Sequence, residues 1–368
     1  MKTPFSEAMA HALDQTRGGS LMDATRTVQR ALSGSAESDD TAAAPEMKEI
    51  NPRGNNDATG GEKRPAASHR PRRRLSAVLS GFAAGHAGPA RGRQPELPEG
   101  ATYVRRQFSG PGGSRAYTVY VPANLPDGAQ GLVLMLHGCT QSADDFACGT
   151  GMNAVAERRG VIVVYAEQGR DANPQGCWNW FNPGDQKAGA GEPEILAGLA
   201  TSVAQEFSVP ADRIFAAGLS AGGAMAAILG VTHPEVFRAV GVHSGLAHGA
   251  AHDVPSAFAA MQGRSAGSGA APAVPVIVFH GSADTTVAPK NAARIAGRGP
   301  GSVTQDRGQM NGRRVRVQTS GDGQSEVWAI DGLGHAWSGG QPKGSYTDAK
   351  GPDASAEMLR FFMDTARR

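Results

Sequence analysis

The chain has 368 residues, 40% of them hydrophobic, with 36 Lys and Arg against 34 Asp and Glu for a net charge of +2. The near-neutral balance gives no reason to expect a nucleic-acid partner, and the hydrophobic share suffices for one sizeable core. The 50 glycines and 23 prolines point to a loop-rich molecule with a linker, and no stretch approaches the ~20 apolar residues of a membrane span.

At the start, Thr3-Pro4 offers a helix cap followed by proline at the first helical position, with Phe5, Met9, Ala12 and Leu13 on one face. Gly18-Gly19 ends that helix, and Ser20 caps a second whose face carries Leu21, Ala24, Val28 and Leu32. Residues 1–32 are therefore expected to form a short amphipathic helical segment, too small to bury much alone, that docks on the domain that follows, a partner, a lipid surface or a hydrophobic polymer or granule. Residues 33–99 are rich in Ala, Gly, Pro, Ser and charge, including Arg70-Pro71-Arg72-Arg73-Arg74, and read as a disordered linker. No apolar run of a secretory signal follows Met1-Lys2, so a cytoplasmic location is the expectation from residues alone.

From residue 100 onward apolar strands alternate with helical stretches, as in an α/β fold with a mainly parallel sheet covered by helices on both faces. Leu132–Leu136 is the first such strand, and His137-Gly138-Cys139-Thr140-Gln141 follows it. Trp178, Trp180 and Phe181 then cluster with Asn179, Asp185, Gln186 and Glu192 in a long segment, where aromatic faces and polar groups could meet a substrate.

Arg213–Ala217 reads as a strand, Ala224–Leu229 as a helix, and Gly218-Leu219-Ser220-Ala221-Gly222 lies between them. A serine projecting from a sharp strand-to-helix turn needs strained backbone, and glycine two residues either side removes the colliding Cβ atoms. The helix N-terminus beyond it suits a developing oxyanion. Val274–Phe279 is a buried strand running into His280-Gly281-Ser282-Ala283-Asp284, and Glu326–Ile330 leads into Asp331-Gly332-Leu333-Gly334-His335. Asp284 and His335 thus fall on strand-end loops at one sheet edge, downstream of Ser220 in the order nucleophile, acid, base.

Each residue alone reads equally well as a turn, cap or loop residue; it is their order and placement that single out Ser220, Asp284 and His335 as a triad. Asp253, Asp306 and Asp331 are the alternative acids, and His137, His243 and His280 read as packing or supporting residues. The Ala221 and Cys139 amides are the expected oxyanion donors, and Trp178, Trp180 and Trp337 the expected substrate-binding aromatics. The three cysteines allow at most one internal disulfide. Cys139–Cys148 is preferred over Cys139–Cys177, with all three reduced also open. No metal site is expected, because neither the cysteine spacing nor any His-Glu-x-x-His pattern provides one.

Leu136-His137-Gly138-Cys139-Thr140-Gln141, Gly176-Cys177-Trp178-Asn179-Trp180-Phe181, Gly218–Met225 and Gly334–Gly340 together resemble the polyhydroxyalkanoate (poly(3-hydroxybutyrate)) depolymerase-type esterases, a group that includes feruloyl and acetylxylan esterases. The resemblance covers residues 100–368. It implies an α/β-hydrolase domain, carboxylic ester hydrolysis without cofactor, the same Ser220, Asp284 and His335 roles, and a polyester or small ester substrate. It also favours an extracellular location over a cytoplasmic one. Feruloyl or acetylxylan esters are the alternative substrates, and a granule- or surface-binding protein with little turnover is the alternative of another class.

Overall fold

The computed structural model describes residues 94–264, 269–297 and 301–367. The chain divides into two units, Met1–Pro71 and Arg72–Arg368, and every described residue belongs to the second. The expected helices of residues 1–32 and the linker up to residue 93 lie outside the described residues.

The frame is a ten-stranded sheet. Its centre consists of β3 (Gly131–Leu136), β4 (Val161–Ala166), β5 (Ile214–Leu219), β6 (Ala239–His243), β7 (Val276–Gly281) and β10 (Ser325–Ile330). These pair in parallel in the order β4-β3-β5-β6-β7-β10. Antiparallel strands extend both sides: β1 (Thr102–Gly110) and β2 (Gly113–Val121) beyond β4, and β9 (Arg313–Thr319) and β8 (Val303–Met310) beyond β10. The mainly parallel centre is as expected. The antiparallel flanks were not legible, because their alternating or largely polar sequences carry no continuous apolar run; β8 is exposed along nearly its whole length.

Why the centre reads so clearly follows from burial on both faces. Leu132, Leu134 and Leu136 of β3 point into one core with Ile162 and Val164, under α3 (Gly191–Glu206) and α4 (Ala221–Thr232). The intervening Val133 and Met135 enter a second core with Val163, Tyr165 and Phe215, covered by α1 (Ala143–Thr150), α2 (Met152–Arg159) and α7 (Ala354–Ala366). A strand covered on both faces has no polar side to show, so the period-two alternation disappears into an unbroken apolar run. Helix α4 is buried on every side through its first ten residues, which explains its uniform Ala, Gly, Met, Ile and Leu composition.

Candidate active site

Ser220 occupies the junction of β5 and α4 with φ 58° and ψ −117°, outside the regions an L-residue prefers. Its N–H donates to the His243 carbonyl at 2.9 Å, which ties the strained residue to β6. The flanking glycines are steric requirements. A Cβ on Gly218 would stand 2.4 Å from the backbone of Gly222, and one on Gly222 would stand 2.0 Å from the Leu136 carbonyl oxygen. The elbow can therefore close against β3 only with glycine at both places. Ala221 is the first residue of α4, where the N–H has no partner within the helix.

The loop after β3 lies against this turn. A Cβ built on Gly138 would come 3.6 Å from the Ser220 Cβ. Gln141 holds the loop: its Oε1 accepts the Gly138 N–H at 2.9 Å, and its Nε2 donates to Asp145 Oδ2 at 2.9 Å. Thr140, with φ 67°, turns its N–H to the Gln175 carbonyl at 2.9 Å. The Cys139 N–H between them has no acceptor among the described residues.

Asp284 and His335 come from the ends of the neighbouring strands β7 and β10. Their loops are laced together, with Ala283 N–H donating to the Leu333 carbonyl at 3.0 Å and Gly332 N–H to Ser282 Oγ at 2.9 Å. His335 Nδ1–H donates to Asp284 Oδ2 at 2.8 Å, although the two are 51 residues apart. The other carboxylate oxygen accepts the Thr286 and Val287 N–H groups at 2.9 and 2.8 Å. His280 Nε2 lies 3.5 Å from Oδ2 and donates to the Val287 carbonyl at 2.9 Å. Burial alone would raise the Asp284 carboxyl, but the hydrogen bonds from His280, His335 and Val287 outweigh it and hold the group well below the usual carboxylate range. Because His335 spends Nδ1–H on this ionised carboxylate, Nε2 is left as a proton acceptor. Among the described residues no hydrogen bond joins Ser220 Oγ to His335; bonds of this kind often tighten only around substrate.

The alternative acids are committed elsewhere. Asp253 caps α5 (Val254–Met261), accepting the Ser256 N–H at 2.8 Å, while Asp306 pairs with Arg314 and Asp331 with Arg316.

Three expectations are corrected. The disulfide joins Cys139 to Cys177, not to Cys148. Cys148 sits on α1, whose Phe146 and Ala147 pack into the core on one face of the sheet, whereas Cys139 and Cys177 pack against the core on the other. Nearness in sequence is overridden by the sheet between them. Second, Trp178, Trp180 and Trp337 do not form a substrate-facing surface: they are 0%, 6% and 1% exposed. Trp178 Nε1–H donates to the His137 carbonyl at 3.0 Å and Trp337 Nε1–H to Ser355 Oγ at 3.1 Å, so both indoles are spent inside the fold. Third, the polar groups of the 179–192 segment bind one another. Glu192, buried, accepts the Asn179 N–H at 2.8 Å, Asn179 Nδ2–H at 2.9 Å and Gln168 Nε2–H, and its own N–H donates to Asp185 Oδ1 at 2.9 Å. Gln186 reaches the Ala251 carbonyl and the Gly249 N–H at 2.9 and 2.8 Å. Burial pushes the Glu192 carboxyl up to about 6. Gln168 and Arg115, which complete this network, gave no sequence signal of it, since a glutamine 24 residues from its partner has no motif to mark it.

Residues 115–298, half of the 368-residue chain, match the family described as Esterase PHB depolymerase. Poly(3-hydroxyalkanoate) depolymerase C of Paucimonas lemoignei is 29% identical over 64% of this chain and 61% of its own length. Feruloyl esterase B of Neurospora crassa is 31% identical over 38% of this chain and 47% of its own. The chain thus spans about half to six-tenths of these curated relatives. Among solved structures, the acetyl xylan esterase from Aspergillus awamori superposes with a TM-score of 0.54 at 20% identity, covering 72% of this chain and 99% of its own. That likeness is one of fold, and with the strand order above it establishes the α/β-hydrolase architecture. By its sequence match the chain belongs to the esterase PHB depolymerase family, a family of carboxylic ester hydrolases.

Proposed function

We propose that the chain is a serine carboxylester hydrolase of the polyhydroxyalkanoate depolymerase type, acting through an acyl-enzyme. The observation that carries this reading is the 2.8 Å hydrogen bond from His335 Nδ1 to Asp284 Oδ2, at the sheet edge where Ser220 is held in its strained turn. Ser220 Oγ attacks the ester carbonyl carbon and its proton passes to His335 Nε2. The tetrahedral adduct collapses, His335 returns the proton to the departing alcohol, and the acyl group stays on Ser220. Water, deprotonated by the same imidazole, then releases the acid. Asp284 stays ionised throughout and fixes the tautomer. The Cys139 and Ala221 amides stabilise the oxyanion, a contribution worth ~3 kcal/mol per donor in comparable sites.

The substrate proposed is a hydroxyalkanoate polyester or its oligomers; the feruloyl esterase relative supports cell-wall esters as the second reading. A turnover panel of hydroxybutyrate oligomers, feruloyl esters, acetylated xylan and p-nitrophenyl esters, run on parent and Ser220→Ala, tests both. Hydrolysis of none of them by the parent overturns the function, and preference for a feruloyl or acetyl ester overturns the substrate class. Residues 1–32, tethered by residues 33–99, are proposed to hold the catalytic unit of residues 100–368 at a polymer surface.

A further inference from the structure

His243 ends β6, with Leu219, the neighbour of the nucleophile, opposite it on β5 and Phe279 opposite it on β7. Its backbone carbonyl accepts the Ser220 N–H at 2.9 Å. Its ring is fully buried and lies near parallel to two others, Phe279 at 5.8 Å and 14° and Trp337 at 5.2 Å and 26°. Nε2 accepts the Ser338 N–H at 3.1 Å, and Ser338, in the two-residue strand Trp337–Ser338, stands three residues beyond His335. The tautomer follows from that bond: Nε2 must carry the lone pair, so Nδ1 carries the proton and donates it to Ser244 Oγ at 3.1 Å. Ser244 is itself fixed in a left-handed conformation, φ 51°, with its N–H on the Phe279 carbonyl at 2.9 Å. One residue therefore grips the nucleophile's turn with its main chain and the base's loop with its ring.

We infer that His243 is a positioning residue for the triad, whose main-chain and ring hydrogen bonds set the distance between Ser220 and His335. This rests on the reading of those two as nucleophile and base. Burial, with further lowering from His280 and His335, pushes the His243 ring down to about 3, so above that value it stays an acceptor toward Ser338. The Ser220 and His335 side chains are not bonded to each other, so their separation is set by what holds their loops. Among the described residues, His243 is bonded both to Ser220 and to the segment that follows His335.

The test compares His243→Phe, which keeps an aromatic ring between Phe279 and Trp337 but offers Ser338 no acceptor, with His243→Gln, whose amide oxygen can accept that N–H. Reaction-geometry losses reach ~100-fold for displacements near 1 Å. His243→Phe should therefore lower kcat on p-nitrophenyl acetate on the order of 10- to 100-fold with KM within about twofold, and slow organophosphate labelling of Ser220 in parallel. His243→Gln should restore most of both. A folded His243→Phe variant labelled and turning over at the parental rate overturns the inference. Absence of Ser220 labelling in the parent would instead overturn the proposed function. Should the phenylalanine variant not fold, nitrogen NMR of the parent's imidazoles decides: His243 Nε2 must be unprotonated across the pH range of activity, and a proton found there overturns the proposal.

Discussion

Cys177 is bound to Cys139 through sulfur and to Gln168 Nε2 through its carbonyl oxygen, at 2.9 Å for the latter. The loop with the proposed oxyanion amide is thereby coupled to the buried Glu192 network, which also receives Gln168. The covalent tie closes a loop with a sequence separation of 38, for which the chain-entropy relation gives about 4 kcal/mol. Replacing Cys139 and Cys177 together by serine should lower stability by ~2–4 kcal/mol and reduce kcat, because the Cys139 N–H loses its tether. Cys148→Ser should leave kcat unchanged. Urea denaturation and turnover of a p-nitrophenyl ester measure both; an unaltered kcat in the folded double variant would show that the disulfide has no part in holding the amide.

Asp284→Asn should preserve the fold yet lower kcat on the order of 10⁴-fold, since an amide in place of the carboxylate no longer enforces Nδ1–H on His335. Asp253→Asn and Asp331→Asn should leave kcat within about twofold, being a helix cap and a surface ion-pair partner. Steady-state kinetics on the three variants checks the assignment, and loss of activity in either of the latter with retention in the first would move the acid.

Glu192 gives a stability signature of unusual sign. Its folded carboxyl is raised from 4.5 to about 6, so between those values the native state binds more protons than the unfolded chain. Stability from this group is complete below pH 4.5 and is lost as pH rises through about 6, by roughly 2 kcal/mol at 1.36 kcal/mol per unit. Glu192→Gln removes the titration. The difference in unfolding free energy between parent and variant should fall by that amount from pH 4.5 to 6.5 and stay flat above. A difference independent of pH would mean that the Glu192 carboxyl binds protons in the native protein just as it does in the unfolded chain.

On the proposal that residues 1–32 hold the catalytic unit at a polymer surface, deleting residues 1–93 should leave turnover of a small soluble ester nearly unchanged while weakening association with a hydrophobic polyester film, because surface anchoring raises local concentration without entering the chemistry. Assays of both proteins on one soluble and one insoluble ester separate the outcomes. Equal loss on both would make the segment part of the catalytic unit.

The sequence alone determined the elements whose physics is local. Val161–Ala166 and Val276–Gly281 announce themselves because burial on both faces demands continuous apolar residues. The glycines at 218 and 222 announce the serine because a Cβ at either would strike backbone. Asp284 and His335 were legible as loop residues after such strands, and their order in the chain is the one that the proposed triad requires. Tertiary structure decided everything that depends on which face of the sheet a residue reaches. It paired Cys139 with Cys177 across a fold that puts Cys148 behind the sheet, and it buried Trp178 and Trp337 where spacing suggested a binding surface. It also brought Arg115, Gln168 and Glu192 together, and set the His243 ring against Ser338. Those contacts join residues far apart in the chain, and a hydrogen bond between distant residues constrains neither partner's neighbours, so no local pattern records it.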